Sequence, residues 1–546
     1  MRSSRLLVAI VVWVLTTCSP FTNAATANKT NVLFFVIDDL NMGVGAFGDD
    51  LASTPRIDEL VNSGAKYTNA HVIKSECAPS RTTMFTGRLP DMNRVWDFES
   101  NLRTYNPTMM TLPGLFRQAG YRTVALGKVY DPRAFKSKEK LDLCTDTNPT
   151  YCSWDKYVSL EIMEKDGSAC NISKVKYSWQ KKQKKKNRGK AYMLIPNNKE
   201  KYTVDYCSAT AAQNELRSFA NSDTPFFLAV GFSLPHLPWI YPRSYSSFLE
   251  DISDDELVER ASDGTNLTFF TDEANSFSDP GSYEITRYKN YASISSADRI
   301  RHYYRGVSFM DAQLGRVMDV LQEPALESLA ANTLIVFVSD NGFHLGDHGI
   351  WGKKTLYDGA THVPMAIVPS ANLMAASPKL RNAVGSTVSY PVQGDDIFPT
   401  LLELCNVDDQ SDQERSGVSL VPTLKSSSTS VRSAAVSQFW AHKKNNGLER
   451  TTMGYSLRTM YYRYTKYMAF KRNLQSKSQD ETLYSVSDGK GFPEFYDYST
   501  DGSEETVNRY TQSSLTSSID KIYADFTANT DRAWSVLHGG VPLDAT

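Results

Sequence analysis

Two segments far apart in the chain end in the same way. "NVLFFVIDDL" (31–40) and "NTLIVFVSDNG" (332–342) are continuous apolar runs that stop at paired oxygen-bearing side chains, Asp38-Asp39 in the first and Asp340-Asn341 in the second. Unbroken apolar runs of this kind belong to strands covered on both faces, the situation in a parallel sheet flanked by helices. Two more runs end in polar groups: "TPFFLAVGFSLPH" (224–236) leads to His236, and "YRTVALGKVY" (121–130) carries Lys128 near its end. Their alternation with amphipathic stretches predicts an α/β domain with a large, mostly parallel central sheet. Parallel strands bring their carboxyl ends to one edge, where open α/β folds bind ligands.

On that topology Asp38, Asp39, Asp340 and Asn341 would meet in space. Three carboxylates and an amide oxygen form a hard, oxygen-only donor set, better suited to Ca²⁺ or Mg²⁺ than to Zn²⁺. A single Asp after a strand is more often a cap for the next helix. Two pairs in matching positions favour a metal site.

"CAPSRTTMFTG" (77–87) has Pro79 where a first helical turn accepts proline and Gly87 where a helix stops. It predicts a helix of roughly two turns with Cys77 just ahead of it. The N-terminus of a helix attracts an oxyanion, Arg81 would strengthen that attraction, and the same position is expected to lower the thiol pKa of Cys77.

Cys77-x-Pro79-Ser80-Arg81 followed by Thr86-Gly87 resembles the signature of the type I sulfatases. In that family a maturation enzyme oxidises the cysteine to formylglycine, whose hydrated aldehyde is the nucleophile. "CAPSRTTMFTGRLPD", "WDFES", "GYRTVALGKVY", "PFFLAVGFSLPH", "SDNGFHLGDHGIWGKKTLYDGATHVP" and "MGYSLRTMYYRYTKYMAF" are similar, in the same order, to stretches of its iduronate-2-sulfatase branch. The resemblance implies the alkaline-phosphatase-like sulfatase fold with a smaller C-terminal α+β part. It also implies one Ca²⁺ held by Asp38, Asp39, Asp340 and Asn341 with the formylglycine from Cys77. By the same carry-over, Arg81, Lys128 and Lys353 contact the sulfate or the nucleophile, and His236 sits by the leaving oxygen. Where relatives continue Gly-Lys-Val-Phe-His, this chain reads Gly127-Lys128-Val129-Tyr130-Asp131. Asp131 is then either a base in place of the histidine or a turn residue before Pro132. His344 and His348 are expected as pocket groups or ordinary loop residues. Trp96, Asp97 and Arg103 resemble a stretch near the substrate pocket, against the default of a buried aromatic beside a paired charge.

Residues 1–24 carry Arg2 and Arg5, the apolar run Leu6 to Leu15 and a small residue at Ala24, the layout of a secretory signal. Leu15-Thr16-Thr17-Cys18 is a loose lipoprotein-type match, ranked below soluble export. The run is short for a membrane span and no later stretch is better, so no transmembrane segment is expected. The final compartment would be secreted, periplasmic or lysosomal according to the host, with sequons at Asn28, Asn171 and Asn266. Export permits disulfides. Among seven cysteines, Cys144, Cys152, Cys170 and Cys207 stand together and allow two bridges in three ways, Cys405 reads as a buried thiol, and Cys77 is left unpaired.

With 59 basic and 61 acidic residues no global field points to nucleic acid, so an anionic partner must be met locally. The basic run "KKQKKKNRGK" (181–190) is either a solvated loop or a guide for a polyanionic glycan. The low-complexity "SSSTS" (426–430) suggests a surface linker and a boundary near residue 440. A catalytic region over 25–440 and a C-terminal region over 441–546 follow, the latter with antiparallel strands and a long helix through Leu515, Ile519, Ile522 and Phe526. The expected partners are a sulfated carbohydrate, foremost a 2-O-sulfated uronic acid of a glycosaminoglycan or algal polysaccharide, and a formylglycine-generating enzyme. The rivals are a phosphoesterase of the related superfamily and a non-catalytic homologue that binds sulfated glycans.

Overall fold

The four apolar runs that end in polar groups are adjacent strands of one sheet. A computed structural model describes residues 29–98, 100–131, 142–144, 150–160, 163, 190–262, 290–441, 452–472, 484–488, 494–501, 505 and 509. The eight-stranded sheet runs, in spatial order, Ser386–Val388, Ala65–Tyr67, Met365–Val368, Thr333–Ser339, Asn31–Asp38, Phe226–Pro235, Arg122–Gly127 and Lys156–Ser159. Only Met365–Val368 runs against its neighbours; the other pairings are parallel. The expected mostly parallel α/β sheet is therefore present.

Period-two alternation along the central strand explains why its sequence is apolar throughout. Leu33, Phe35 and Ile37 face a core shared with the helices Pro55–Asn62, Val204–Phe219 and Ser296–Leu321. Val32, Phe34 and Val36 face the opposite core, shared with Cys77–Thr86, Leu112–Gln118 and Ile397–Cys405. Each such side chain contributes roughly 1.5–3 kcal/mol when fully buried, so a polar residue on either face would be costly.

A second sheet is antiparallel and built from Ala435–Ala441, Thr452–Arg458, Tyr462–Arg472 and Tyr484–Asp488, with Glu494–Asp497 also pairing Tyr462–Arg472. It holds the aromatic strands expected after residue 440, and its first strand begins at Ala435. "SSSTS" forms a turn closed by the Thr429 N–H donating to the Ser426 carbonyl at 3.0 Å.

Cys144 and Cys152 form a disulfide, Cys207 is also disulfide-bonded, and Cys77 and Cys405 are free and buried. Cys170, the expected leader over residues 1–24, the sequon residues Asn28, Asn171 and Asn266, residues 181–189 and the expected C-terminal helix lie outside the described residues. Among the described residues no helix is long and apolar enough to cross a membrane.

Candidate active site

The strands Thr333–Ser339, Asn31–Asp38, Phe226–Pro235 and Arg122–Gly127 are consecutive in the sheet. Their carboxyl ends present Asp340 and Asn341, Asp38 and Asp39, His236, and Lys128 in that spatial order. The last two of these strands need glycine to close together. At Gly127, φ is +77° and a Cβ would stand 2.1 Å from the Gly231 carbonyl oxygen; a Cβ on Gly231 would be equally close to the Lys128 backbone. That contact seats Lys128, whose N–H donates to the Gly231 carbonyl at 3.1 Å.

Cys77–Thr86 is a ten-residue helix that starts at Cys77 itself, one position earlier than expected, and stops at Gly87 with φ 60°. Every residue of this helix is buried. Ser80 Oγ donates to the Asp340 carbonyl at 2.5 Å. Arg81 joins three strand ends: Nε donates to Asp340 Oδ2 at 2.6 Å, Nη2 to Asp38 Oδ1 at 3.1 Å and Nη1 to the Val129 carbonyl at 3.0 Å. The helix N-terminus is thereby fixed under the acidic edge of the sheet.

Two lysines converge on the thiol. Lys353 follows the short hairpin of His344–Leu345 with Trp351–Gly352; its Nζ lies 3.0 Å from Cys77 Sγ and pairs with Asp39. Lys128 Nζ pairs with Asp38 and stands 3.7 Å from the same sulfur. His236 Nε2 is 3.9 Å from Asp39 Oδ2. Asp38, Asp39, Cys77 and His236 each place a ligand atom within 4.8 Å of the others.

The charge balance corrects one expectation. Burial pushes the Cys77 thiol well up, the Asp38 carboxylate adds to the rise, and Lys128 and Lys353 offset only part of it. Burial and the Asp38 charge thus act against the activation that the helix position of Cys77 suggested, because desolvation disfavours the thiolate. Burial would raise Asp38 too, but Lys128, His236, Arg81 and Lys353 together hold it well below the usual carboxylate range. Asp340 is pushed up to about 6, chiefly by burial with Arg81 opposing.

The donor set fits a hard cation. Asp39 Oδ2 and Asn341 Oδ1 are buried with no hydrogen-bond partner, although the Asn341 amide group does donate to Asp39 Oδ1 at 2.7 Å. Orphaned buried oxygens are costly unless a ligand meets them, and these two belong to residues chosen from sequence as oxygen ligands.

The remaining candidates each have partners. Asp131 is 1% exposed; the Lys128 pKa is raised against the effect of burial chiefly by Asp38, with a smaller contribution from Asp131. Trp96 Nε1 donates to Asp91 Oδ1 at 2.7 Å, Asp97 Oδ1 accepts from the Ser100 N–H at 2.8 Å, and Arg103 Nε donates to Asp142 Oδ1 at 2.6 Å. His344 Nε2 is 2.7 Å from Thr355 Oγ1, and His348 Nε2 is 3.9 Å from Glu505.

Two supporting residues escaped the sequence. Tyr303, on the long helix Ser296–Leu321, donates its hydroxyl to the Asp39 carbonyl at 2.8 Å and accepts from the Asn41 N–H at 2.9 Å. It holds Asp39 at φ 63°, a left-handed conformation uncommon for a non-glycine residue. Asp205 accepts from the Ser233 and Leu234 N–H groups at 2.7 and 2.9 Å, fixing the strand end before His236. Both sit in helices whose sequence signals only an amphipathic face.

The sulfatase family profile matches residues 30–407. Human iduronate 2-sulfatase is 30% identical over 394 residues, covering 69% of this chain and 64% of that protein. The chain thus spans somewhat under two thirds of that relative. The crystal structure of a phosphonate monoester hydrolase of Agrobacterium radiobacter superimposes with a TM-score of 0.65 at 20% identity, covering 92% of this chain and 96% of that one. A 2-O GAG sulfatase structure superimposes with a TM-score of 0.58 at 19% identity, covering 94% of each chain. At these identities the structural neighbours establish the fold alone.

Proposed function

The chain belongs to the sulfatase family, and we propose that it hydrolyses a sulfate ester on a sugar, foremost a 2-O-sulfated uronic acid. The observation that carries this is the meeting of Lys353, Lys128 and the acidic strand ends around Cys77, with Lys353 Nζ 3.0 Å from the sulfur. A thiol buried among two lysines and a set of oxygen ligands stands where an anion would be received and a metal held, which supports a nucleophile at this position. In this reading Cys77 is converted to formylglycine, which supplies a hydrated-aldehyde nucleophile. Asp38, Asp39, Asp340 and Asn341 hold Ca²⁺, which supplies positive charge to the sulfate oxygens.

The chain's own residues do the rest. Lys128 and Lys353, both buried and held by Asp38 and Asp39, stabilise charge that grows on the nonbridging oxygens. Arg81, bound on both sides to Asp38 and Asp340, acts mainly by holding the ligand set and the helix together. His236 delivers a proton to the departing sugar oxygen. Asp131, beside Lys128, is the candidate acceptor of the proton released from the nucleophile. The similarity to human iduronate 2-sulfatase supports the uronic acid as the first substrate to try. Export through a secretory pathway and maturation by a formylglycine-generating enzyme belong to the same proposal.

The test is a paired assay of 2-O-sulfated uronate disaccharide and the matching phosphate ester, using protein whose Cys77 conversion is verified by peptide mass. Sulfate release with little phosphate release supports the proposal. Preference for the phosphate ester would identify a phosphoesterase. Glycan binding without sulfate release would identify a non-catalytic homologue.

A further inference from the structure

Glu76 immediately precedes Cys77 and occupies the cap position of its helix, yet its side chain makes no capping hydrogen bond. Its carboxylate instead meets Lys354, Oε1 to Nζ 3.2 Å, with side-chain exposures of 7% and 18%. Lys354 adopts φ 75°, which a non-glycine side chain reaches only at some cost. This turn separates two consecutive lysines. Lys353 goes to the Cys77 sulfur, while Lys354 goes to the neighbouring Glu76 with its Nζ 5.4 Å from the centre of the half-buried Phe98 ring. The result is an aromatic ring, an ammonium donor and a carboxylate acceptor grouped one residue from the nucleophile position.

We propose that Glu76, Lys354 and Phe98 form the subsite for the sugar ring that carries the sulfate, with Glu76 and Lys354 engaging ring hydroxyls and Phe98 meeting an apolar ring face. This rests on the sulfated-sugar reading above and adds the residues that select a sugar over other alcohols. The chemistry is that of a ligand bearing both C–H faces and hydroxyls: aromatic rings bury the former, and charged groups make the strong hydrogen bonds to the latter. An aryl or alkyl sulfate offers no hydroxyls to this pair, so it would gain nothing from Lys354. Lys354 and Glu76 act on binding of the alcohol part and take no part in the sulfur chemistry.

The test compares wild type with Lys354→Met, Lys354→Arg and Phe98→Ala on two substrates, a 2-O-sulfated uronate disaccharide and a small aryl sulfate. Lys354→Met should raise KM for the disaccharide about tenfold, the loss expected for one charge-assisted hydrogen bond. It should leave aryl sulfate turnover unchanged, and Lys354→Arg should restore much of the disaccharide KM. Phe98→Ala should show the same split. A second arm measures binding of the desulfated disaccharide, which requires no turnover. If the wild type releases no sulfate but binds that sugar in a Lys354-dependent way, the subsite stands and the hydrolase reading falls. Equal effects of Lys354→Met on both substrates, or no effect on the disaccharide in either arm, would overturn the subsite.

Discussion

At the scale of single residues, the sequence located the groups that the structure gathers around Cys77 but not their supports. Asp38, Asp39, Asp340, Asn341, Lys128 and His236 follow strands whose apolar runs are unmistakable, and Cys77 stands in an irregular motif; each was therefore legible. Tyr303 was not, because an aromatic in an amphipathic helix has the same pattern whether it fills space or holds a ligand's backbone. Its bonds to Asp39 and Asn41 lead to a prediction. Tyr303→Phe should cost about 1–2 kcal/mol of stability, the value of buried hydrogen bonds lost with one partner left unpaired. It should also weaken Ca²⁺ binding, read by titrating the metal against thermal midpoint, because Asp39 would no longer be held at its left-handed φ. An unchanged Ca²⁺ titration would show that Asp39 is set by its strand alone. The expected low thiol pKa of Cys77 failed for a related reason: the helix end was visible in the sequence, the complete burial beside Asp38 was not.

At the scale of elements, the antiparallel sheet is fastened to the segment that carries Lys353 by buried charge. Asp358, five residues beyond Lys353, pairs with Arg463 and lies 3.3 Å from Arg458 Nη2, while its N–H donates to Glu505 at 2.8 Å. Arg463 also pairs with Glu505 and is itself fully buried. Removing the shared cation takes the buried Glu505 from its cationic partner and leaves Asp358 with Arg458 alone, so Arg463→Met should destabilise the protein by about 3 kcal/mol in urea unfolding. Glu494, in the same sheet, is pushed up to about 8, mainly by burial with Glu505 adding to it. The folded protein keeps a proton there that the unfolded chain gives up in the ordinary carboxylate range. This group's contribution is thus complete in acid and is lost as pH rises through that range toward about 8. Glu494→Gln should flatten this dependence, read as a smaller difference between urea midpoints at mildly acidic and mildly alkaline pH. The central pair of this sheet, Thr452–Arg458 and Tyr462–Arg472, was legible from its aromatic and β-branched content, whereas Ala435–Ala441, Tyr484–Asp488 and Glu494–Asp497 were not. Their ion pairs were not, since Asp358, Arg463 and Glu505 come together only through tertiary packing.

At the scale of the whole molecule, the fold exists to bring four strand ends and one helix end to a single edge. The order of those strands in the sheet, 333–339 beside 31–38 beside 226–235 beside 122–127, has no sequence signature. What could be inferred was only that the strand ends meet at one edge, from the repeated outcome of an apolar run handing over to a polar group. Chelation of bound metal should lower the thermal midpoint, and Ca²⁺ should restore it, because three carboxylates and the unpartnered Asn341 oxygen are otherwise buried together. A midpoint indifferent to chelator would mean that Lys128 and Lys353 suffice to balance the acidic edge. The decisive measurement is inorganic sulfate released from a 2-O-sulfated uronate disaccharide by the matured protein and by its Cys77→Ala variant, side by side. Release by the first and none by the second is the predicted result; equal release by both, or none from protein whose Cys77 is verified as converted, would contradict it.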